Sequence, residues 1–131
     1  MEASGIAGAP AALTRVSLLQ GVRALAARDA GLAAIVERHG PPPLWARPRG
    51  FATLARIILE QQVSLASAAT LYARVERELG GMTPAAVAAV GRPGLQALGL
   101  TRQKAAYVAG LAEHVAAGVL PLATLHRLPD V

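Results

Sequence analysis

Two helical patterns meet at a short uncharged corner between Phe51 and Gly80, and this arrangement constrains the fold more than any other part of the chain. In the first pattern, apolar residues recur at helical spacing and predict a largely buried helix ending near Glu60: Phe51, Leu54, Ile57 and Ile58. In the second, they alternate spacings of three and four: Leu65, Ala68, Tyr72, Val75 and Leu79. Because Ser64 is well placed as the N-cap of the second helix, the sequence predicts two helices joined by the corner Gln61-Gln62-Val63-Ser64.

The composition favours an all-α fold. Of the 131 residues, 53% are hydrophobic and only 3% are aromatic, and Ala and Leu supply most of the apolar content. This usage is typical of closely packed short helices and not of a β-sandwich. The length suits one compact domain. We expect about eight helices and no strand, because Pro121 interrupts the longest strand-like run.

Charge and cysteine usage narrow the function classes. The formal net charge is +5, and twelve of the 13 basic residues are Arg, with Lys104 as the one lysine. A polyanionic partner fits this charge, although Arg-rich usage also reflects GC-rich coding and the basic residues are scattered. The absence of cysteine excludes disulfides, thiolate nucleophiles and cysteine-ligated metal within this span. With no signal peptide and no apolar run of roughly 18 residues, we expect an intracellular protein without membrane contact, cytoplasmic and nucleoid-associated if bacterial.

Glycine, proline and capping residues divide the rest of the chain. Residues 1 to about 12 are small and unpatterned and predict a flexible leader. A helical hairpin follows, with Asp29 as an N-cap and Gly40 as a stop. After Gly80, helix starts are predicted at Thr83-Pro84, at Pro93 and at Thr101. A last short helical turn is predicted from Leu122 to Arg127. It leads into Pro129 and Asp130, and Asp130 is placed as the N-cap of a further helix.

No common cofactor or metal motif occurs. The chain has no Gly-rich phosphate loop and no His-Glu-x-x-His helix, so we expect neither a cofactor nor a metal. The three histidines are far apart in sequence and are interpreted as structural or solvent-exposed: His39, His114 and His126. Glu60 lies beside the corner, where the interpretation as a polar residue in the last turn of a helix is favoured over a catalytic role.

Three ordered blocks resemble a known family. They are GFATLARIILEQQVSLASAATLYARV, Leu98-Gly99-Leu100-Thr101-Arg102-Gln103-Lys104-Ala105 and Gly118-Val119-Leu120-Pro121-Leu122. From about Leu13 to Val131 the chain resembles the first half of the alkylpurine DNA glycosylases, the 3-methyladenine DNA glycosylase II branch of the helix-hairpin-helix glycosylase superfamily. Residues 13–131 would then be a partial helical glycosylase domain, truncated before the helix-hairpin-helix.

The resemblance implies a base-excision repair enzyme whose partner is double-stranded DNA with damaged bases. Such an enzyme flips an alkylated purine out of the duplex and hydrolyses its N-glycosidic bond. In the family, the side chain that fills the gap in the base stack falls on Gln62, with Gln61 and Ser64 supporting the corner. From the residues alone, Gln61 and Gln62 could instead only satisfy free backbone groups at two helix ends.

Two basic residues and one tryptophan are further candidates for DNA contact. Arg102 and Lys104 follow Thr101 at a helix start, where the helix dipole disfavours cations but where cations and free N–H groups together suit a phosphate. A solvated helix start is the alternative. Trp45 could stack on a base, but we expect it to pack on the core.

The chain departs from the family in its catalytic parts. Family members carry, further along, a Gly-Ile-Gly type hairpin that binds the DNA phosphate and an aspartate that stabilises the oxocarbenium-like sugar, and neither is present. We therefore expect the chain alone to be inactive. Because several apolar stripes would normally pack against the missing helices, we also expect it to expose an apolar face and to self-associate or fold loosely. Two alternatives stay open: an endonuclease III-like lyase fragment, and a non-catalytic helical DNA-binding or scaffold protein.

Overall fold

The computed structural model describes residues 12–128, which form six α-helices and one 3-10 helix and contain no strand. The predicted all-α class is therefore confirmed. The helices are α1 (Arg15–Arg28), α2 (Ala30–His39), α3 (Phe51–Glu60), α4 (Leu65–Leu79), α5 (Pro84–Ala97) and α6 (Arg102–Ala116), followed by the 3-10 helix Leu125–Arg127. Residues 1–11 of the predicted leader, and the predicted cap Asp130, lie outside the described residues.

The chain groups into two compact units, and the first, described over residues 12–47, is a helical hairpin of α1 and α2. Asp29 ends α1 and caps α2, because its carboxylate accepts a hydrogen bond of 2.9 Å from the Leu32 N–H. Gly40 ends α2 with φ 76°, a conformation that favours glycine. The predicted hairpin, cap and stop are confirmed. No residue of α1 or α2 is buried.

The second unit, Pro48–Leu128, contains the hydrophobic core. Here α3 packs against α4 and α6, and α5 packs against α6 and α4. The largest fully buried side chains come from four helices: Leu59, Val75, Val87, Leu95 and Val108. Alanines complete the core and bring the helices close together: Ala55, Ala68, Ala105, Ala109 and Ala112. The chain divides into two units, and the single domain predicted for residues 13–131 stays a prediction.

Three apolar residues predicted to be packed are exposed instead. Ile57 is 38% exposed. The buried face of α3 consists of Phe51, Ala55 and Leu59, whereas Ile57 points about 200° away from Ala55 around the helix. Leu65 is 66% exposed, because it is the first residue of α4 and no preceding helical turn covers it. Trp45, expected to pack on the core, is 83% exposed in a loop.

Gly91 kinks α5 where the sequence predicted two separate helices. Its angles of φ 59° and ψ −170° are non-helical, and Pro93 follows within the second segment. The predicted count of about eight helices therefore becomes, in residues 12–128, six α-helices with one kinked and one 3-10 turn. None of the described helices combines the length and the apolar character needed to cross a membrane.

Candidate nucleic-acid interface

The corner between α3 and α4 contains an unusual backbone conformation. Gln61, with φ −67° and ψ 131°, ends α3, and its N–H donates to the Ile58 carbonyl at 3.3 Å. Gln62 follows with φ 64°, and within residues 12–128 it is the one non-glycine residue with a positive φ. The two angles of Gln61 and the φ of Gln62 match the central positions of a type II turn, the second of which normally requires glycine or asparagine.

The left-handed conformation of Gln62 is strained. For a residue with a Cβ it costs about 1–2 kcal/mol relative to ordinary backbone. Such strain persists where the surrounding structure imposes it, and it is found preferentially at functional positions. All four corner residues, Gln61 to Ser64, are exposed. The corner therefore presents the Gln62 amide to solvent from a turn between two packed helices.

Ser64 supports the corner by capping α4. Its hydroxyl oxygen accepts a hydrogen bond of 3.1 Å from the Ser67 N–H, and the two serine hydroxyls lie 3.0 Å apart. The predicted N-cap is therefore confirmed. Because the hydroxyl oxygen already satisfies a helix-end N–H, Ser64 contributes first to the shape of the turn. Its contact with a nucleic acid stays a prediction.

The start of α6 lies next to the end of α3. The Lys104 ammonium donates a hydrogen bond of 2.8 Å to the carbonyl oxygen of Leu59, 45 residues away in sequence. Lys104 is partly buried, whereas Arg102, the first residue of α6, is exposed. The first turn of α6 therefore lies beside the end of α3, so that it and the corner can contribute to one surface. Sequence reasoning missed the Lys104–Leu59 contact, because a backbone carbonyl leaves no trace in the residue pattern.

An ionic and aromatic contact joins the last turns of α3 to α4. Arg56 forms an ion pair with Glu60, with 3.3 Å between Nε and Oε1, and its guanidinium lies over the Tyr72 ring. Glu60 therefore behaves as the polar residue of a helix end that the sequence predicted. The pKa of Tyr72 is raised, first by burial and then by the charge of Glu76, while Arg56 opposes this rise.

Two exposed apolar side chains lie in and beside this turn, and the sequence analysis assigned neither of them a binding role. Val63 is 47% exposed and Leu65 is 66% exposed, on either side of the cap Ser64. The signal was available in principle, since apolar residues on both sides of an N-cap cannot all join the buried stripe of the helix. With Gln62 they form a mixed amide and apolar surface, which we call the corner surface: Gln61, Gln62, Val63, Ser64 and Leu65.

The corner surface suits binding. Its amides and hydroxyl donate and accept hydrogen bonds, and its apolar side chains can lie against flat groups. Within residues 12–128, no three His, Asp or Glu side chains are grouped so as to hold a metal ion. The arrangement therefore offers hydrogen bonding and packing at the corner, with the Arg102 cation at the neighbouring helix start.

Comparisons with known proteins place this chain in a family. Residues 55–129, more than half of the chain, match the family model described as the HhH-GPD superfamily base excision DNA repair protein. The chain is also similar to the crystal structure of a DNA-3-methyladenine glycosidase from Bacillus halodurans, with a TM-score of 0.61 and 33% sequence identity over 76% of this chain. It covers 46% of that protein, about half of its length. No curated protein sequence matches the chain.

Proposed function

Because this chain belongs to the HhH-GPD superfamily of base excision DNA repair proteins, we propose that it forms the DNA-wedging half of a glycosylase for alkylated purines of the 3-methyladenine type. Such an enzyme flips the damaged base out of the duplex and hydrolyses its N-glycosidic bond, leaving an abasic site. The identity of 33% to a DNA-3-methyladenine glycosidase supports this substrate class. The whole reaction is proposed for a protein that includes this half.

The positive φ of Gln62 is the observation that carries the proposal. A base that leaves the stack leaves a gap, and the protein must fill it with a side chain that can also meet the orphaned partner base. The Gln62 amide has both donor and acceptor groups, so it suits any partner base. A turn that keeps a strained glutamine where glycine would be relaxed is best explained by a need for that side chain.

The apolar neighbours of Gln62 strengthen the wedge. Proteins that separate base pairs commonly insert apolar side chains against exposed base faces and sugars. Val63 and Leu65 are exposed on the corner surface and are available for this role. We propose that they lie against the nucleotides flanking the gap, while Gln61 and Ser64 hold the turn.

Phosphate contacts come from the start of α6 in this proposal. Arg102 is exposed in its first turn, and neither α6 nor α4 carries an acidic residue in its first turn. Helix N-termini favour anions, and a nearby guanidinium adds a directional partner for phosphate. A phosphate contact by Lys104 stays a prediction from the sequence; because its ammonium already donates to the Leu59 carbonyl, we assign the phosphate role to Arg102 alone.

Hydrolysis needs a carboxylate as well as a wedge. Positive charge develops on the sugar as the glycosidic bond breaks, and a fixed negative charge stabilises it. Glu60, beside the corner, is already paired with Arg56. We nominate no residue of these 131 for the catalytic role, and we propose that they bind a disrupted duplex without releasing the base.

Fluorescence anisotropy with two matched duplexes tests the proposal, one intact and one containing a tetrahydrofuran abasic analogue. We expect the chain to prefer the abasic duplex by about tenfold, because a hydrogen bond from Gln62 to the orphaned base and partial burial of Val63 and Leu65 together are worth roughly 1–2 kcal/mol. Gln62→Ala should abolish the preference. Gln96→Ala, which changes an exposed glutamine on α5, is the matched control and should keep it.

Equal affinity of the unaltered chain for both duplexes would contradict the proposal. If that binding also weakened steeply with salt, the non-catalytic DNA-binding alternative would be supported instead. Release of 3-methyladenine by the purified chain would overturn the assignment of catalysis to other residues.

A further inference from the structure

The C-terminus of α3 lacks the usual means of satisfying its last carbonyls. The last four carbonyl groups of a helix have no partner within it, and a left-handed glycine or a nearby cation normally supplies one. In α3 the capping residue Gln61 is extended and not left-handed, and the last turn contains no basic residue. The Gln61 N–H bonds to the Ile58 carbonyl, which leaves the Leu59 carbonyl to be satisfied from elsewhere.

Lys104 supplies that partner from a different helix. Its ammonium donates to the Leu59 carbonyl at 2.8 Å in a partly buried setting. A cation at the negative end of a helix dipole is favourable, and a charged donor makes the bond stronger than a neutral one. Both ends of the bond are anchored in the core, because the Leu59 side chain is 1% exposed and Ala105, next to Lys104, is 0% exposed.

We propose that Lys104 is a positioning residue for Gln62, an inference that rests on the proposed wedge function of Gln62. The bond joins α6 to the carbonyl three residues before Gln62 and so holds the end of α3 from which the turn begins. A strained left-handed residue persists only when its surroundings impose that geometry. Without the Lys104 donor, the Leu59 carbonyl loses its partner and the turn relaxes, so that Gln62 no longer projects in one direction.

The first arm of the test needs no DNA. It follows hydrogen exchange at the backbone N–H of Gln61 in the 131-residue chain. In Lys104→Met, which keeps the aliphatic stem but removes the donor, we expect exchange at Gln61 to be about tenfold faster, as for the loss of a hydrogen bond to a charged group. Arg102→Met is the matched control on the same helical turn and should leave it unchanged. The Ser67 amide, which Ser64 caps, is the internal reference.

The second arm separates positioning from direct phosphate contact. With the abasic duplex, loss of one phosphate contact should lower the slope of log affinity against log salt by about one, and we expect this for Arg102→Met only. Lys104→Met should keep the slope. Its preference for the abasic duplex over the intact one should instead fall several-fold. The change in fluorescence of a 2-aminopurine placed beside the gap, which accompanies binding of the unaltered chain, should be lost as well. In a Gln62→Ala background, Lys104→Met should have no further effect on either readout.

Three results would each overturn the inference. The first is unchanged hydrogen exchange at the Gln61 backbone N–H in Lys104→Met, and the second is a slope of log affinity against log salt lowered by about one in that variant. The third is that Lys104→Met and Gln62→Ala reduce the abasic preference independently, so that their effects add. Lys104→Gln, whose side chain is neutral and one bond shorter, serves if Lys104→Met fails to fold. If the unaltered chain shows no abasic preference, the wedge function fails. The exchange arm then still decides whether Lys104 holds the corner.

Discussion

The Arg56 guanidinium carbon lies 5.5 Å from the centre of the Tyr72 ring, so a cation on α3 contacts an aromatic face on α4. The same guanidinium is paired with Glu60 in the last turn of α3. This contact holds together the two helices that meet at the corner surface.

Replacing Arg56 with alanine should lower the free energy of unfolding by about 1 kcal/mol. The cation–π contact and the ion pair each contribute up to about 1 kcal/mol at partly exposed sites. Urea denaturation measures the change. Arg77→Ala is the control, because the Arg77–Glu78 pair is 3.7 Å apart with side chains 72% and 53% exposed, and it should change stability by less than about 0.5 kcal/mol. Equal effects of the two substitutions would contradict the assignment.

The raised pKa of Tyr72 predicts a loss of stability in alkali. The phenol contributes fully to stability below its unfolded pKa of 10.0, and the contribution is lost as the pH rises through the higher folded value. Above pH 10, the unaltered chain should therefore lose unfolding free energy relative to Tyr72→Phe. Tyr107→Phe, at a position 53% exposed, is the comparison. A difference that stays constant with pH would disprove this.

The strain at Gln62 can be measured directly. Gln62→Gly should stabilise the protein by roughly 0.5–1 kcal/mol relative to Gln62→Ala, since relief of the left-handed conformation exceeds the added chain entropy of glycine. Chemical denaturation of the two variants gives the comparison. If the glycine variant is the less stable, the positive φ is not strained. A glycine variant that is also more stable than the unaltered chain would indicate that Gln62 is retained for the proposed wedge function.

The kink in α5 should depend on glycine. Gly91 has a positive φ with ψ −170°, which residues with a Cβ avoid, so Gly91→Ala should cost about 1–3 kcal/mol. Gly110→Ala is the opposite case. Gly110 lies within α6 and a Cβ there would meet nothing within 4 Å, so alanine should stabilise by up to about 1 kcal/mol. Thermal melts measure the change in stability of each variant. If Gly91→Ala stabilised the protein as Gly110→Ala is expected to, Gly91 would not have the positive φ of the kink.

The α1–α2 hairpin should promote self-association. Its apolar residues line an open cleft, among them Leu25 and Ile35, which are 54% and 56% exposed. An exposed apolar patch of this kind favours contact between molecules. Sedimentation velocity should show association that increases with concentration and weakens in Ile35→Ser. Val119→Ser, in the other unit and 69% exposed, is the control, and an unaltered chain that stays monomeric would refute this prediction.

Local signals predicted most helix boundaries correctly. Asp29, Ser64, Thr83 and Thr101 cap the helices that the sequence assigned to them, because capping depends on a side chain and an N–H two or three residues away. Apolar spacing was less accurate about exposure. It placed Ile57 and Leu65 in packed stripes, since periodicity does not show which side of a helix its neighbours cover.

The amino-acid sequence by itself determined the helical class through its composition, the family resemblance through three ordered blocks, and the caps and the corner through residues that are close along the chain. Tertiary structure alone decided that Lys104 bonds to Leu59, that Gln62 is held left-handed and that Val63 and Leu65 stay exposed. These features arise where α6 meets the end of α3. A side chain there meets a backbone carbonyl 45 residues away, and backbone carbonyls have no identity in a sequence.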